Sequence, residues 1–179
     1  CVKDTVESSG SVDLPLTLAQ QLPVLPDLLD MPAGGLNIRP KDDRHDQERR
    51  LHRFKLDAAR AYARGNGLDR VIWPQGRGGP ARIGIVSTGK SYMDVLQALH
   101  DLGMNQAAAK RFGLSLFKVG MVWPLEPDGL RDFADGLDLL IVVEEKRGLI
   151  EGQLREILYG TKGAPAVIGK RDETGARLF

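Results

Sequence analysis

The segment with the clearest potential for chemistry is a short string that begins at Gly84 and ends at Ser91. It matches the pattern G-x-x-x-x-G-K-[ST] without a gap. In nucleotide hydrolases that pattern cradles phosphates with backbone amides, while its lysine and hydroxyl reach phosphate oxygens and Mg²⁺. An apolar run at 139–143 also ends in two acids, as a magnesium-holding strand would. A small nucleotide hydrolase is therefore one candidate function.

The residues around this string argue against a phosphate loop. Such a loop needs a strand before its first glycine, whereas residues 75–82 (QGRGGPAR) form a Gly/Pro linker. The β-forming residues fall inside the string, which predicts the strand at 83–87. Only residues 88–90 then remain to bend, and they are too few to wrap a diphosphate. We expect a tight strand-to-helix turn with an exposed lysine, and the hydrolase stays as the alternative.

A second set of candidate residues follows the apolar run. Glu144 and Glu145 come directly after it, and Lys146 and Arg147 come next. Carboxylates at this position favour the positive end of the following helix, so capping is the expected role. A general acid is the alternative, which we rank lower because sequence neighbours on a strand point apart. No catalytic residue is predicted.

The ends of two predicted strands also supply candidates for contact with an anion. These candidates are Ser87, Thr88, Gly89, Lys90 and Arg147. The alternative for the two cationic side chains is pairing in solvent, which contributes little.

Strand and helix patterns alternate from residue 83 onwards. They predict the order β-α-(α)-β-α-β-α-β over residues 83–170. That order implies right-handed crossovers and an α/β fold with a doubly wound, mostly parallel sheet in three layers. Ligands and partners of such folds meet the loops at the carboxyl ends of the strands. Here those loops are predicted at 87–90, 120–126 and 144–147.

The organisation of the chain changes along its length. Residues 1–42 show no sustained period and several prolines, which predicts an extended arm between domains. Residues 43–74 are predicted as an amphipathic basic helix with a connector, 75–82 as the linker and 83–179 as the α/β domain. Because the chain begins with Cys1 rather than Met, we expect it to be a piece of a longer protein.

The helix predicted at 43–64 has a narrow apolar stripe and a strongly basic face. The basic residues are Arg49, Arg50, Arg53, Lys55, Arg60 and Arg64. A solvated face is the expected interpretation, since runs of charge are usually solvated. The alternative is an interaction module that docks an acidic partner or a cofactor phosphate. Arg49, Arg50 and Arg53 are then interdomain contacts, as are Glu144, Glu145 and Lys146.

Composition excludes several classes of protein. The 179 residues include one cysteine, with 25 Lys and Arg against 24 Asp and Glu. One thiol cannot make a disulfide framework, a cysteine-based zinc site or an iron–sulfur cluster, which takes about four thiolates. The near-zero charge argues against nucleic-acid binding, and the absence of a long apolar run argues against a membrane span. We expect a cytoplasmic protein without a metal site of its own.

Several phrases taken together resemble one enzyme family. They are IVSTGKSYMDVLQAL, LFKVGMVWPLEPDGLRDFADGLDLLIVVEEKRGLIEGQLREILY, DTVESSGSVD and MPAGGLNIR. In this order they resemble the indolepyruvate:ferredoxin oxidoreductases, within the thiamine-diphosphate-dependent 2-oxoacid:ferredoxin oxidoreductases. Residues 83–170 are also similar, more distantly, to the transketolase C-terminal domain.

The resemblance implies a parent enzyme that oxidatively decarboxylates an aryl-2-oxoacid such as indolepyruvate. Thiamine diphosphate with Mg supplies the carbanion chemistry, [4Fe–4S] clusters pass electrons to ferredoxin, and the acyl group leaves on coenzyme A. The protein would position these groups. By this resemblance the start of the chain is the tail of the pyrimidine-binding domain, and the rest is a domain whose usual part is assembly.

The resemblance also implies what this piece does by itself. We expect it to bind none of the parent's cofactors and to be inactive alone. In the intact enzyme, the cationic side chains at the strand ends are the expected contacts for coenzyme A. The expected partners are the remaining domains of its own polypeptide, ferredoxin for the parent, and a second copy of the chain as a homodimer. No nucleic acid and no membrane are expected.

Overall fold

The computed structural model describes residues 31–74 and 82–178, and its body is a five-stranded sheet. The strands are β1 (Arg70–Trp73), β2 (Ile83–Ser87), β3 (Leu114–Lys118), β4 (Leu139–Val143) and β5 (Ala166–Ile168). Their order across the sheet is β1-β3-β2-β4-β5, and all neighbours are parallel except β1 and β3. The predicted α/β class and mostly parallel sheet are confirmed. The arm through residue 30 and the linker at 75–81 lie outside the described residues.

Helices alternate with these strands as the sequence pattern predicts. They are α1 (Arg44–Arg50), a π-helical turn (Leu51–Lys55), α2 (Leu56–Gly65), α3 (Gly89–Asp101), α4 (Gln106–Phe112), α5 (Pro127–Ala134) and α6 (Leu149–Leu158). Within residues 31–74 and 82–178, none of the helices has both the length and the apolar character needed to cross a bilayer.

The sheet is covered on both faces because strand side chains alternate between them. Phe117 of β3 joins the cluster formed with α5 and α6, and its ring lies 5.0 Å from that of Phe133. Its neighbour Leu116 points the other way, into the cluster formed with α3. Two apolar cores on opposite faces give the predicted three layers.

The connections reverse direction at the centre of the sheet. The chain leaves β2 through α3 and α4 to reach β3 on one side, and it leaves β4 through α6 to reach β5 on the other. A crevice forms at such a switch point, outside the carboxyl ends of the two strands. In this sheet the switch point is between β2 and β4, so such a crevice is expected between the turn after Ser87 and the loop after Val143.

The assignment of residues 43–74 as a helix and connector is wrong at its end. Residues 70–73 form β1, which pairs antiparallel with β3 and has an irregular register between Val71 and Trp73. Four residues are too few to show the alternation of side chains from which a strand could be predicted. The edge of β3 supplies the hydrogen-bonding partners that make this segment extended.

The basic helix starts as predicted but is interrupted. Asp43 caps it, since its Oδ1 accepts a hydrogen bond from the amide of Asp46 at 2.9 Å. The amide of Leu56 then bonds to the carbonyl of Leu51, which is the i→i+5 spacing of a π-helical turn. The predicted single helix is therefore two α-helices joined by a π-helical turn.

Gly84 lies in the middle of β2 and is required by packing. A Cβ placed on it would lie 2.6 Å from Leu137, 2.7 Å from Leu140 and 2.9 Å from Phe133. The apolar core therefore occupies the space that a side chain at this position would need. This placement contradicts the nucleotide hydrolase alternative, because the first glycine of the string belongs to a buried strand.

Replacing Gly84 by alanine is expected to lower the free energy of unfolding by about 1–3 kcal/mol, because the core must shift to admit a methyl group. Gly152→Ala is the matched control: a Cβ on this exposed helical glycine meets nothing within 4 Å, so a gain of about 0.5–1 kcal/mol is expected. Urea denaturation measures both variants. Equal stability of the two variants would contradict the packing account of Gly84.

Candidate functional site

The turn after β2 is tied to both neighbouring strands by hydroxyl groups. Ser87 is fully buried, and its Oγ donates a 2.7 Å hydrogen bond to the carbonyl of Val143 at the end of β4. Thr88 Oγ1 donates at 2.8 Å to the carbonyl of Val119, which follows β3. Two of the predicted anion-contact residues therefore use their hydroxyl protons to hold three strand ends together.

Gly89 and Lys90 turn the chain from β2 into α3. Gly89 has a φ of +53°, which a residue with a side chain rarely adopts. No side chain caps α3, since the hydroxyl of its N-cap residue, Thr88, is bonded elsewhere. Lys90 is exposed and donates to Asp94 at 2.8 and 2.9 Å. The hydrogen bond that Lys90 donates to Asp94 raises the pKa of Lys90 above its ordinary value, so this side chain stays cationic.

Glu144 caps the helix on the other side of the crevice. Its side chain is buried and accepts from the amides of Leu149 at 2.9 Å, Ile150 at 2.8 Å and Glu151 at 3.0 Å. These amides belong to the first turn of α6 and have no partner within the helix. The predicted capping role of Glu144 is confirmed, and its carboxylate oxygens are occupied by that role.

The three residues that follow Glu144 are exposed. Glu145, Lys146 and Arg147 form the outer part of the loop between β4 and α6. Glu145 lies close enough to Lys90 to favour its charged form. The structure thus brings the predicted residues after β2 and after β4 to the same edge of the sheet, as expected of parallel strands.

The arginines predicted as interdomain contacts lie elsewhere. Arg49 and Arg50 end α1, and Arg53 lies in the π-helical turn. Arg49 and Arg53 are exposed, but Arg50 is 9% exposed and donates to the carbonyl of Gly35 at 2.6 Å. Arg50 therefore binds within its own chain. Of these three arginines, only Arg49 and Arg53 expose their charge to solvent.

A carboxylate that sequence reasoning missed holds the loop after β3. Asp69 Oδ1 accepts from the amides of Gly120 at 2.7 Å and Met121 at 3.2 Å, while its Oδ2 is buried without a hydrogen-bond partner among the described residues. Burial raises the pKa of Asp69, and the nearby charge of Glu126 acts in the same direction. About fifty residues separate the partners, so no local signal marks this contact.

A second missed network joins the helical segment to the sheet domain. Glu126 caps α5 by accepting from the amides of Asp128 at 3.0 Å and Gly129 at 2.6 Å. Arg64 of α2 reaches Glu126 at 3.4 Å and Asp132 at 3.2 Å. A cavity of about 570 Å³ adjoins these residues, with Phe117 and Phe133 in its wall. The network fixes α2 against α5.

The loop after β3 is also tied to α6, and it exposes apolar side chains there. Gln153 accepts from the amide of Leu125 at 3.0 Å and donates to the carbonyls of Val122 and Leu149, each at 3.0 Å. Val122, Trp123 and Leu149 are 37%, 53% and 49% exposed. These three residues form an apolar patch at the carboxyl edge of the sheet. Such patches commonly mark contacts with other protein surfaces.

Comparison with known proteins places these features in context. A family model described as the indolepyruvate oxidoreductase domain matches residues 70–179. The indolepyruvate oxidoreductase subunit IorA of Thermococcus kodakarensis is 31% identical over 87 residues, which are 49% of this chain and 12% of that protein.

Two solved structures are similar at lower identity. A 2-oxoglutarate:ferredoxin oxidoreductase from Magnetococcus marinus is 19% identical with a TM-score of 0.41, over 79% of this chain and 23% of that one. An inactive split-gene transketolase is 15% identical with a TM-score of 0.40, over 56% and 31% of the two chains.

Glu144→Ala is expected to lower the free energy of unfolding by about 2–4 kcal/mol, because three amides of α6 lose their acceptor. Glu145→Ala is the matched control, because the carboxylate of Glu145 is exposed. A change within about 0.5 kcal/mol is expected. Thermal and urea unfolding measure both. A similar loss in the two variants would contradict the capping role.

Asp69→Asn keeps an acceptor for Gly120 and Met121 and removes the buried charge. Because the pKa of Asp69 is raised in the folded state, its protonation stabilises the fold as pH falls, and that stabilisation is lost as pH rises through the raised pKa. The free energy of unfolding is measured for both proteins from neutral pH down to 3.8, the ordinary pKa of the group. Over this range the free energy of unfolding of the wild type is expected to rise relative to that of Asp69→Asn as the pH falls.

Asp69→Ala serves as the comparison variant, because it removes both the charge and the acceptor. It is expected to lose about 1–3 kcal/mol at every pH. Parallel pH profiles for the wild type and Asp69→Asn would show that the carboxyl titrates normally and would refute the account.

Proposed function

The chain belongs to the indolepyruvate oxidoreductase domain family, and from that membership we infer that it is a non-catalytic assembly domain of an indolepyruvate-type 2-oxoacid:ferredoxin oxidoreductase. The chain's match spans 12% of the IorA relative, so the activity belongs to a much longer protein. In this proposal that parent oxidatively decarboxylates aryl-2-oxoacids to acyl-CoA and reduces ferredoxin.

The described residues of this chain do not fit the parent's metal groups. In residues 31–74 and 82–178, no three His, Cys, Asp or Glu side chains are grouped to hold a metal ion. The single cysteine of the sequence, Cys1, cannot ligate a [4Fe–4S] cluster, which takes about four thiolates. We therefore assign the clusters and Mg, with the thiamine diphosphate that Mg accompanies, to the remaining domains of the parent.

The observation that carries the assembly role is what the polar strand-end residues do. Ser87, Thr88 and Glu144 stand where α/β enzymes place reactive groups, yet their hydrogen bonds go to backbone atoms of this same domain. Asp69 and Gln153 likewise hold loops. These side chains support a rigid edge that presents a surface to other domains.

The surface that we assign to the interdomain contact lies at this edge. The apolar patch of Val122, Trp123 and Leu149 provides area to bury, and the exposed residues Glu145 and Lys146 provide charge. Interfaces combine an apolar centre with a polar rim in this way. Arg49 and Arg53 remain interdomain candidates, whereas Glu144 and Arg50 are occupied inside the chain.

The crevice beside this patch is our candidate contact for a phosphate of coenzyme A. Lys90 and Arg147 are exposed cations on its two sides, after β2 and after β4. The first turn of α3 has no side-chain cap. Helix N-termini and cations favour bound phosphate. Because the Ser87 and Thr88 hydroxyls are already donating, the contact would use the backbone of Gly89 and the two cationic side chains.

The test is made in the full-length parent enzyme with indolepyruvate-dependent reduction of ferredoxin as the assay. Replacing Lys90 and Arg147 together by alanine is expected to raise the KM for coenzyme A about tenfold, with kcat retained. Lys162→Ala is the matched control, because this exposed lysine precedes β5 and lies at the opposite edge of the sheet.

Two results would overturn parts of this proposal. An unchanged KM for coenzyme A in the double variant would remove the phosphate contact and leave the assembly role standing. Indolepyruvate oxidation by the 179-residue chain alone would remove the assembly role, since a non-catalytic domain has no activity without the rest of the enzyme.

A further inference from the structure

A cavity of about 270 Å³ lies beside the π-helical turn, and arginines dominate its wall. Arg49, Arg50 and Arg53 reach it from α1 and the turn, and Arg39 joins them from the loop before α1. Sequence spacing indicates the three helical arginines as one face, but it does not indicate Arg39. The structure thus converts a basic helix face into a concave site built from two segments.

The charges in this cavity do not balance. Asp42 lies between two guanidinium groups, 3.3 Å from Arg39 Nε and 3.7 Å from Arg50 Nε. Asp46 pairs with Arg49. These are the two carboxylates that line the cavity. Four arginines against two aspartates leave a surplus of two positive charges.

Arg50 makes the cavity a built feature of the fold. It is 9% exposed, and its Nη2 donates to the carbonyl of Gly35 at 2.6 Å. This bond holds the loop that carries Arg39 against the helix. The arginines of the two segments are therefore arranged before any ligand arrives, which lowers the entropic cost of binding.

Arg53 is the arginine of this cavity that is least neutralised. Its guanidinium lies 5.3 Å from the centre of the Phe54 ring, and no carboxylate of the described residues is within ion-pair distance. Stacking on an aromatic ring orients a guanidinium while leaving its N–H groups available. The turn that carries it is π-helical, a local geometry that is frequent at functional sites.

We propose that this cavity binds a phosphate dianion, either inorganic phosphate or the phosphate group of an organic monoester. Guanidinium groups bind phosphate oxygens through two parallel hydrogen bonds, and a dianion matches the surplus charge. The volume is several times the roughly 30 Å³ that one water occupies, so a tetrahedral oxyanion fits. This site does not rest on the proposed enzyme role, because its residues lie outside the crevice between β2 and β4.

Calorimetric titration of the 179-residue chain at low ionic strength tests the site, with inorganic phosphate and adenosine monophosphate as probes. Arg53→Gln is expected to weaken binding of both about tenfold. Arg111→Gln is the matched control, since that guanidinium also stacks on the next residue, 4.9 Å from the Phe112 ring, but lies on α4 outside the cavity. The control is expected to bind as the wild type does.

A second variant is expected to change affinity in the opposite direction. Asp46→Asn removes one carboxylate from the cavity and frees Arg49, so phosphate should bind several-fold tighter. Damage to the fold cannot produce tighter binding, which separates the electrostatic account from a structural one. Tighter binding of adenosine monophosphate than of inorganic phosphate assigns an organic ligand, and equal binding assigns the free ion.

Two outcomes would overturn the proposal. One is the absence of measurable phosphate binding by the wild-type chain, and the other is an equal loss of affinity in Arg53→Gln and Arg111→Gln. Neither outcome bears on assembly of the oxidoreductase, which is tested by ferredoxin reduction in the full-length enzyme.

Discussion

The carboxyl ends of parallel strands stop inside the protein, and the rest of this structure depends on satisfying the backbone groups exposed there. Ser87 binds the end of β4, and Thr88 binds the residue after β3. Glu144 accepts from the first turn of α6. An unpartnered backbone group in this position costs about as much as a lost hydrogen bond. Polar side chains are therefore required at the strand ends whether or not the domain performs chemistry.

This requirement explains why the strand ends resemble an active site in sequence, although their polar side chains bind backbone atoms of the same chain in the structure. Glycines, hydroxyls and carboxylates at strand ends are the residues that α/β enzymes use for catalysis. Here Gly84 admits the core side chains of α5 and its flanking loop, and Gly89 permits the turn into α3. The side chains exposed at this edge are the apolar patch of Val122, Trp123 and Leu149 and the charged residues that follow Glu144.

Charge is balanced over the chain but unevenly distributed in space. The helical segment before β1 carries a surplus of arginine, part of which is used internally by Arg50 and Arg64. Helix α5 and its N-cap residue carry the acids that pair with Arg64, namely Glu126, Asp128 and Asp132. The net charge of +1 therefore conceals a basic cavity at one place and an acidic network at another.

The sequence by itself determined the elements whose stabilising contacts are local. The buried strand at 139–143 and the start of the basic helix near residue 43 both follow from residues within a few positions of one another. The alternation of these elements then predicts the parallel sheet and the meeting of its carboxyl ends. That the first half of the hydrolase-like string, through Ser87, is a strand also follows from local β propensity.

Only the tertiary structure decided which distant residues meet. Asp69 binds Gly120 across the chain, Arg64 reaches Glu126, and β1 is extended because β3 offers it an edge. The arginine-lined cavity likewise combines Arg39 with the helical arginines, and the hydrogen bond from Arg50 to Gly35 joins the two segments. These contacts depend on burial and on long-range packing, whose energies no short window of sequence contains.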